Sequence, residues 1–320
     1  MSGLLSYLCF FATVALSYGI AVLGLNLQWG AAGLFNVGVA GFAAVGAYVA
    51  AWITAAPQPT HWGGFGLPIA LGWGGAMAAA ALAAAIVGAA TLRLRADYLA
   101  ITTFGAAVTL QLIALNATAL TGGPFGIAFI PRPFEALAGR PLAFGLANLA
   151  LVAAVTTVAF VALERLVRSP WGRVLRALRE DEAAAASLGK SPSRFRLQAF
   201  VLGAALMGLS GAMQAQFFGF IAPDNYLPVL TFQVWVMLVL GGAGNNRGAL
   251  AGAVVVWALW TLSGTLLAEI LPSAWQARGA ALRLVAIGAV LAGVLLARPR
   301  GLIGERATVS RHVTATEDRA

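Results

Sequence analysis

Long apolar runs separated by short polar stretches make up most of this chain. Several runs contain about 20 residues, the length at which an α-helix crosses the ~30 Å hydrocarbon core of a bilayer. The runs lack the strict alternation in polarity that is typical of a membrane-spanning β-strand. We therefore predict an all-α polytopic integral membrane protein with about eight to ten transmembrane helices. The predicted spans are 4–24, 34–54, 68–92, 97–117, 145–164, 197–221, 226–243, 249–271 and 280–298.

Two of these places depart from a simple spanning helix. The run 226–243 is the weakest, and it either crosses the membrane or re-enters on the same side. Between the first two spans, the segment 26–33 contains Asn, Gln and Gly in place of an apolar run. Interrupted helical backbone at membrane depth is tolerated where it is buried in protein or lines a watery cavity. The segment 26–33 is therefore expected to be a break in the first helix.

Composition agrees with a membrane protein. Hydrophobic residues make up 60% of the 320 residues and charged residues only 10%, whereas a soluble protein has about a quarter charged residues. Mean hydropathy is +0.86. We expect one transmembrane domain over 1–304 and a polar, disordered cytoplasmic tail over 305–320. The run 4–24 precedes the first basic residue, Arg93, so we interpret it as a retained span and not as a signal peptide.

The basic residues predict the orientation of the chain. When the segment after Arg298 is placed in the cytoplasm, nine spans put 16 of the 20 basic residues inside and 4 outside. An excess of Lys and Arg is typical of cytoplasmic loops. The loop 118–144 is therefore expected outside, and the basic segment 165–196 inside. The net charge of +9 therefore reflects the orientation of the chain in membrane lipid. We do not expect nucleic acid as a partner.

The segment 165–196 is a soluble insert in an apolar chain. Ser169-Pro170 is a helix-start signal, since serine caps helices and proline is favoured at the first helical position. We predict one helix over 171–188, with Glu180, Asp181 and Glu182 in its middle and Gly189 as its C-cap. Ser191-Pro192 then begins the next span.

Alanines fill the second half of this insert. Small residues along a helix let another surface approach closely, which favours a docking helix. The alternative is an amphipathic loop that rests on lipid headgroups, but the apolar stripe of Val174, Leu178 and Leu188 is thin, and Trp171 is its one large aromatic anchor.

The stretch Glu182-Ala-Ala-Ala-Ala-Ser-Leu-Gly189 resembles the EAA loop of ABC-transporter permeases, in the form E-x-A-A-x-x-L-G of branched-chain amino acid permeases of the LivM type. The resemblance covers nearly the whole chain. Its other blocks are Gly24-Leu-Asn-Leu-Gln-Trp-Gly30 through Gly46-Ala-Tyr48, Leu92–Ile101, Leu120–Ile127, Val239–Gly244 and Arg298–Gly304. Val39 stands where many members have a histidine, so the resemblance does not fix the substrate.

The resemblance implies a permease subunit in the bacterial inner (plasma) membrane that has no catalytic residues and no cofactor of its own. Its implied partners are two cytoplasmic ABC ATPases, a second, LivH-like permease and a periplasmic substrate-binding protein. The cargo is expected to be a branched-chain or related amino acid. The residues expected to couple the ATPases are Arg179, Glu180, Asp181, Glu182, Ala184, Ala185, Leu188 and Gly189.

Three chemical motifs are weak on inspection. Gly189-Lys190-Ser191 ends like a phosphate-binding loop, but Ala184 stands where the first glycine of GxxxxGK[ST] belongs.

Gly208-Leu-Ser-Gly211 has the form of an intramembrane serine protease motif, but the two histidines, His61 and His312, lie outside the spans. A serine nucleophile needs a nearby base. Helix packing is the better interpretation, as it is for 248–252. One cysteine, Cys9, and two histidines supply neither a disulfide framework nor a clustered metal site.

Uncharged polar residues in or beside the spans are the candidates for the substrate path. They are Asn26, Gln28, Asn36, Gln111, Asn116 and Gln233, together with Gln214. The alternative is that each satisfies a neighbouring helix. Two other functions remain open: an ABC permease for urea, amides or another small polar solute, and an ion- or proton-coupled carrier. The near absence of carboxylates within the spans argues against a carrier.

Overall fold

The computed structural model describes residues 2–58, 62–92, 96–270, 276–298 and 301–305. Several sequence predictions fall outside these residues: the tail from 306, His61, His312, Arg93 and Arg95. Within the described residues the chain is helical, with twelve α-helices. They are α1 Ser2–Leu25, α2 Val39–Thr54, α3 Ile69–Thr91, α4 Ala96–Asn116, α5 Thr118–Thr121, α6 Pro141–Arg168, α7 Pro170–Glu180, α8 Glu182–Ser187, α9 Pro192–Phe218, α10 Pro228–Gly241, α11 Asn246–Ile270 and α12 Gln276–Ala297.

Each predicted span coincides with one of the longer helices, which confirms the all-α polytopic fold. Six helices are long and apolar enough to cross a membrane: Gly3–Ala31, Ile69–Thr91, Asp97–Asn116, Pro141–Arg168, Pro192–Phe218 and Asn246–Leu266. Two others are short. α2 has 16 residues and α10 has 14, which give lengths of about 24 and 21 Å at 1.5 Å per residue. The weak run 226–243 is thus a short helix.

Helix α9 lies at the centre of the bundle and packs against α1, α2 and α3. Small residues make the close contacts. A Cβ atom added at Gly46 of α2 would overlap the backbone of Gly208, and one added at Gly211 would overlap the backbone of Ala43. Ser210 donates its hydroxyl hydrogen to the Ser17 carbonyl at 2.7 Å. The stretch 208–211 is therefore a packing surface, as interpreted from the sequence.

The insert and the loop that precedes α6 lie at opposite ends of the bundle. The insert ends where α9 begins, whereas β1 (Ile127–Ala128) pairs antiparallel with β2 (Phe220–Ile221) just beyond the other end of α9. Arg132 anchors the loop by donating to the Phe218 carbonyl at 2.8 Å. We call these the insert end and the loop end. Their separation agrees with the predicted placement of 118–144 and 165–196 on opposite faces.

Candidate coupling and translocation site

The predicted break in the first helix is present at the insert end. α1 continues as a π-helical turn over Asn26–Ala31, and residues 33–38 are not helical before α2 begins. Gly33 has a φ of +68°, a conformation that glycine adopts readily. The backbone N–H of Leu34 donates to the Gln28 carbonyl at 2.8 Å. Residues 26–38 therefore form a compact, non-standard segment, which we call the broken segment.

Polar side chains hold the broken segment in place. Gln28 donates to the Phe200 carbonyl of α9 at 2.7 Å and accepts from the Asn36 side-chain amide at 2.7 Å. Both side chains are completely buried. Thr103 of α4 accepts from the Val37 N–H at 3.0 Å, and Thr231 of α10 accepts from the Ala40 N–H at 3.0 Å. The freed backbone groups of the break are thus bonded to protein, which is the condition for such a break in a membrane.

Asn26 connects the broken segment to the loop between α10 and α11. Its side chain accepts from the Gly244 N–H at 2.8 Å and donates to Asn246 at 2.9 Å. Asn246 donates in turn to Glu164 of α6 at 2.9 Å, and Glu164 forms an ion pair with Arg168. A chain of side chains therefore joins α1, α11 and α6 at the insert end.

An aromatic cluster lies on the same segment. The rings of Trp29, Phe35 and Trp235 have centroids 4.8–5.5 Å apart. The Trp235 indole donates to the Asn36 carbonyl at 2.9 Å. The two pairs that involve Trp235 are edge-on, a favoured geometry for aromatic pairs, and they fix α10 against the broken segment. Trp235 was not among the predicted site residues, because its place in an apolar run gave no signal.

The seven path candidates divide by their hydrogen bonding. Gln214 of α9 donates to the Ser210 hydroxyl at 3.2 Å. Asn26, Gln28 and Asn36 are buried and bonded to protein, and Asn116 is exposed and donates to its own helix at Leu112, 2.8 Å away. Gln111 and Gln233 are largely buried on α4 and α10. The Gln233 side-chain nitrogen has no hydrogen-bond partner among the described residues. Contact between the path candidates and the substrate stays a prediction.

A second polar atom without a partner is the hydroxyl of Tyr48 on α2, which is also buried. Tyr48 packs against Tyr226, with ring centroids 6.4 Å apart. Tyr226 precedes α10, and burial raises the pKa of its hydroxyl above the ordinary value, so the phenol is neutral at physiological pH. Both Tyr48 and Gln233 offer a donor, the group that a carboxylate needs.

The insert is two helices, and the prediction of one helix over 171–188 is wrong. α7 ends at Glu180, and Asp181 has an extended backbone with φ −148° and ψ 106°. Its carboxylate accepts from the Ala184 N–H at 3.0 Å, so Asp181 is the N-cap of α8. Aspartate favours this position over a helix interior because its side chain satisfies a free N–H group. Glu180, Asp181 and Glu182 therefore lie at the break between helices and not in the middle of one.

Gly189 ends α8 as predicted. Its φ is +76°, its N–H donates to the Ala186 carbonyl at 2.9 Å, and the Lys190 N–H donates to the Ala185 carbonyl at 3.3 Å. This pair of bonds is a Schellman motif. α9 then begins at Pro192, as predicted.

The insert has an inner and an outer surface. Leu175, Leu178 and Ala185 are buried against the bundle. Glu182 forms an ion pair with Arg196 of α9 at 2.8 Å, which ties α8 down. Ala184 and Gly189 are exposed, and the Leu188 side chain is 79% exposed. The outer surface therefore presents alanines, an exposed leucine and the carboxylates of the α7–α8 break.

Arg179, the last basic residue of α7, faces inward. Its guanidinium donates to the Gly30 carbonyl of the broken segment and forms an ion pair with Glu305 at 3.0 Å. Glu305 belongs to a short stretch, residues 301–305. The N–H groups of Leu302 and Ile303 in this stretch donate to carbonyl groups at the C-terminal end of α10 at 2.9 Å. We call residues 301–305 the strap. Sequence reasoning did not find Glu305, because it was assigned to the tail.

Comparisons with known proteins agree with this architecture. The family described as branched-chain amino acid transport system / permease component matches residues 7–298. The high-affinity branched-chain amino acid transport system permease protein LivM of Escherichia coli K12 is 37% identical over 268 residues, which cover 77% of this chain and 61% of that protein. The probable LivM permease protein of Methanocaldococcus jannaschii is 30% identical over 163 residues, or 51% of this chain and 46% of that protein.

The similarity extends to a second type of permease. The LivH permease protein of Escherichia coli K12 is 27% identical over 303 residues, which cover 91% of this chain and 92% of that protein. No solved structure matches the chain. The match over nearly all of the spans, together with the broken segment and the EAA-like insert, shows that the chain belongs to the family of branched-chain amino acid transport permease components.

Proposed function

We propose that this protein is a permease subunit of an ATP-driven importer for branched-chain or related amino acids. It forms half of a transmembrane pathway in the bacterial inner membrane and has no catalytic role of its own. Its insert end is cytoplasmic, where two ABC ATPases dock. A second, LivH-like permease completes the pathway, and a periplasmic binding protein delivers substrate at the loop end.

The observation that carries this proposal is the exposed surface of the insert. α8 and its C-cap project from the bundle with Ala184, Leu188 and Gly189 uncovered, while the buried leucines of α7 fix the insert from beneath. The small residues beside the exposed Leu188 side chain let another protein surface approach closely, as expected for the EAA-like insert of an ABC permease. The insert is thus built as a rigid docking element.

The pathway is proposed along α2, α4 and α10, beside the broken segment. The buried donors of Tyr48 and Gln233 have no hydrogen-bond partner in the described part of the chain, and an unsatisfied buried polar group costs about 1–3 kcal/mol. These two donors are therefore available to bind a substrate carboxylate as it passes. The polar side chains that are bonded to protein keep the segment in shape and do not compete for substrate.

The decisive experiment is uptake by the intact complex. The permease is purified from its native membranes with the subunits that accompany it and reconstituted in liposomes with ATP inside. We expect leucine to accumulate when the binding protein and leucine are added outside, and accumulation to stop when ATP is omitted. Uptake that needs a proton gradient and no ATP would support a carrier. ATP-dependent uptake of urea or an amide, without leucine uptake, would change the cargo.

The docking surface is tested by Leu188→Glu. Because Leu188 is exposed and makes little contact with its own chain, the variant should insert and fold normally but lose most ATPase association and leucine uptake. The matched control for ATPase association is Phe125→Glu, since Phe125 is 87% exposed at the opposite, loop end; leucine uptake is not compared in this control, because the binding protein is proposed to dock there. ATPase retained by Leu188→Glu at the wild-type level would count against docking on this surface.

A further inference from the structure

We propose that Arg179 is a positioning residue that transmits movement of the insert to the broken segment, and that it does not bind the ATPase. This inference rests on the proposed function. It assigns the role of Arg179 from its inward contacts, whereas the sequence alone placed it among the residues that couple the ATPases, without a contact for it.

The guanidinium of Arg179 is the direct link between α7 and the broken segment. It donates to the Gly30 carbonyl, and a Cβ added at Gly33 would lie 3.1 Å from the Arg179 Cγ. The arginine stem therefore packs along Gly33 while its head bonds Gly30. A displacement of the end of α7 changes both contacts at once.

Glu305 orients this link. The two oxygens of its carboxylate lie 3.0 and 3.2 Å from the Nη2 atom of Arg179. The guanidinium is a planar fork with several fixed N–H directions, so it can serve a carbonyl and a carboxylate together. Lysine has a single charged nitrogen and no such fixed directions. The pair thus selects arginine at position 179.

The strap holds Glu305 against the rest of the insert end. The Asn245 side chain donates to the Gly304 carbonyl at 3.3 Å, and a Cβ added at Gly244 would lie 2.8 Å from Glu305. Gly244 also donates its N–H to Asn26 of the broken segment. Two independent routes, through Gly30 and through Asn26, therefore connect the strap to the broken segment.

The contacts of the broken segment connect movement of the insert to the helices of the proposed pathway. The broken segment carries Trp29 and Phe35 against Trp235 of α10, and its next residues are bonded to α4 and α10. Helices α2, α4 and α10 are the ones proposed to border the pathway. Movement of α7, passed through Arg179, reaches all three at the point where the first helix is interrupted.

The test compares transport with ATP hydrolysis in the reconstituted complex. In Arg179→Met we expect normal assembly and near-normal ATP hydrolysis, with leucine transported per ATP reduced about tenfold or more, a size typical of coupling between sites. Arg179→Lys should lie between this variant and the wild type. The control is Arg194→Met, which removes an exposed arginine at the start of α9 and should leave the ratio unchanged.

A charge exchange separates transmission from simple stabilisation. The double variant Arg179→Glu with Glu305→Arg restores an ion pair but no donor to the Gly30 carbonyl, so we expect it to remain uncoupled. Recovery of wild-type transport per ATP in the double variant would overturn the proposal, as would an unchanged ratio in Arg179→Met. If the wild-type complex itself shows no ATP-dependent leucine uptake, the proposed function fails instead.

Discussion

At the scale of single residues, the polar side chains of the spans fall into two groups. Asn26, Gln28 and Asn36 are bonded to protein on the broken segment. Gln233 and Tyr48 keep a donor without a partner. Their residue types were informative in the sequence, but their roles were not. An amide that bridges two segments and an amide that is left free look alike until the helices are placed together.

This division predicts opposite effects of the same substitution. Gln28→Leu removes the oxygen that accepts from the buried Asn36 amide and the donor to the Phe200 carbonyl, which should lower stability by about 1–3 kcal/mol. Gln233→Leu removes an unsatisfied group, so stability should be unchanged or higher while leucine uptake falls. Thermal unfolding in detergent and uptake in liposomes measure the two effects. Equal destabilisation by both variants would show that Gln233 is bonded in the folded protein.

At the scale of secondary structure elements, the sequence predicted the long helices well. Runs of apolar residues must be helical in a bilayer because all backbone groups need partners, and a helix lies at each predicted span, although α2 and α10 are short. The insert was less predictable. Glu180-Asp181-Glu182 is compatible with a helix interior by propensity, and the side-chain cap at Asp181 that divides α7 from α8 depends on a local competition that periodicity does not report.

The packing of α2 on α9 predicts a position that tolerates no side chain. Gly46→Ala places a methyl group in the Gly208 backbone, and we expect a loss of about 1–3 kcal/mol from overpacking. Gly74→Ala is the matched control, because nothing lies within 4 Å of an added Cβ there. The yield of folded protein in size-exclusion chromatography compares the two. A Gly46→Ala variant as stable as Gly74→Ala would contradict the close approach of these helices.

At the scale of the whole molecule, the separation of the two ends was predicted from charge and is present in the fold. The connections at the insert end were not predictable. Arg179, Gly30 and Glu305 come from three distant parts of the chain, and nothing local in their sequence indicates that they meet. Such long-range contacts depend on helix packing and require the structure.

The orientation of the molecule can be tested with introduced cysteines. Cys9 is the single cysteine and is buried, so a Cys9→Ala background gives a chain without thiols. Leu188→Cys and Phe125→Cys then place one exposed thiol at each end. In intact cells lacking an outer-membrane barrier, a membrane-impermeant maleimide should label position 125 and reach position 188 only after lysis. Labelling of both positions in intact cells would show that the two ends do not lie on opposite sides.

The strap has a consequence for the order in which the protein is completed. Residues 301–305 leave the ribosome after all the long helices, yet they supply the carboxylate that holds Arg179 and the N–H groups that cover the end of α10. Until then Arg179 lacks this ion pair, although α1 to α12 have been made. A chain that ends before residue 305 therefore lacks the ion pair that holds Arg179 against the broken segment.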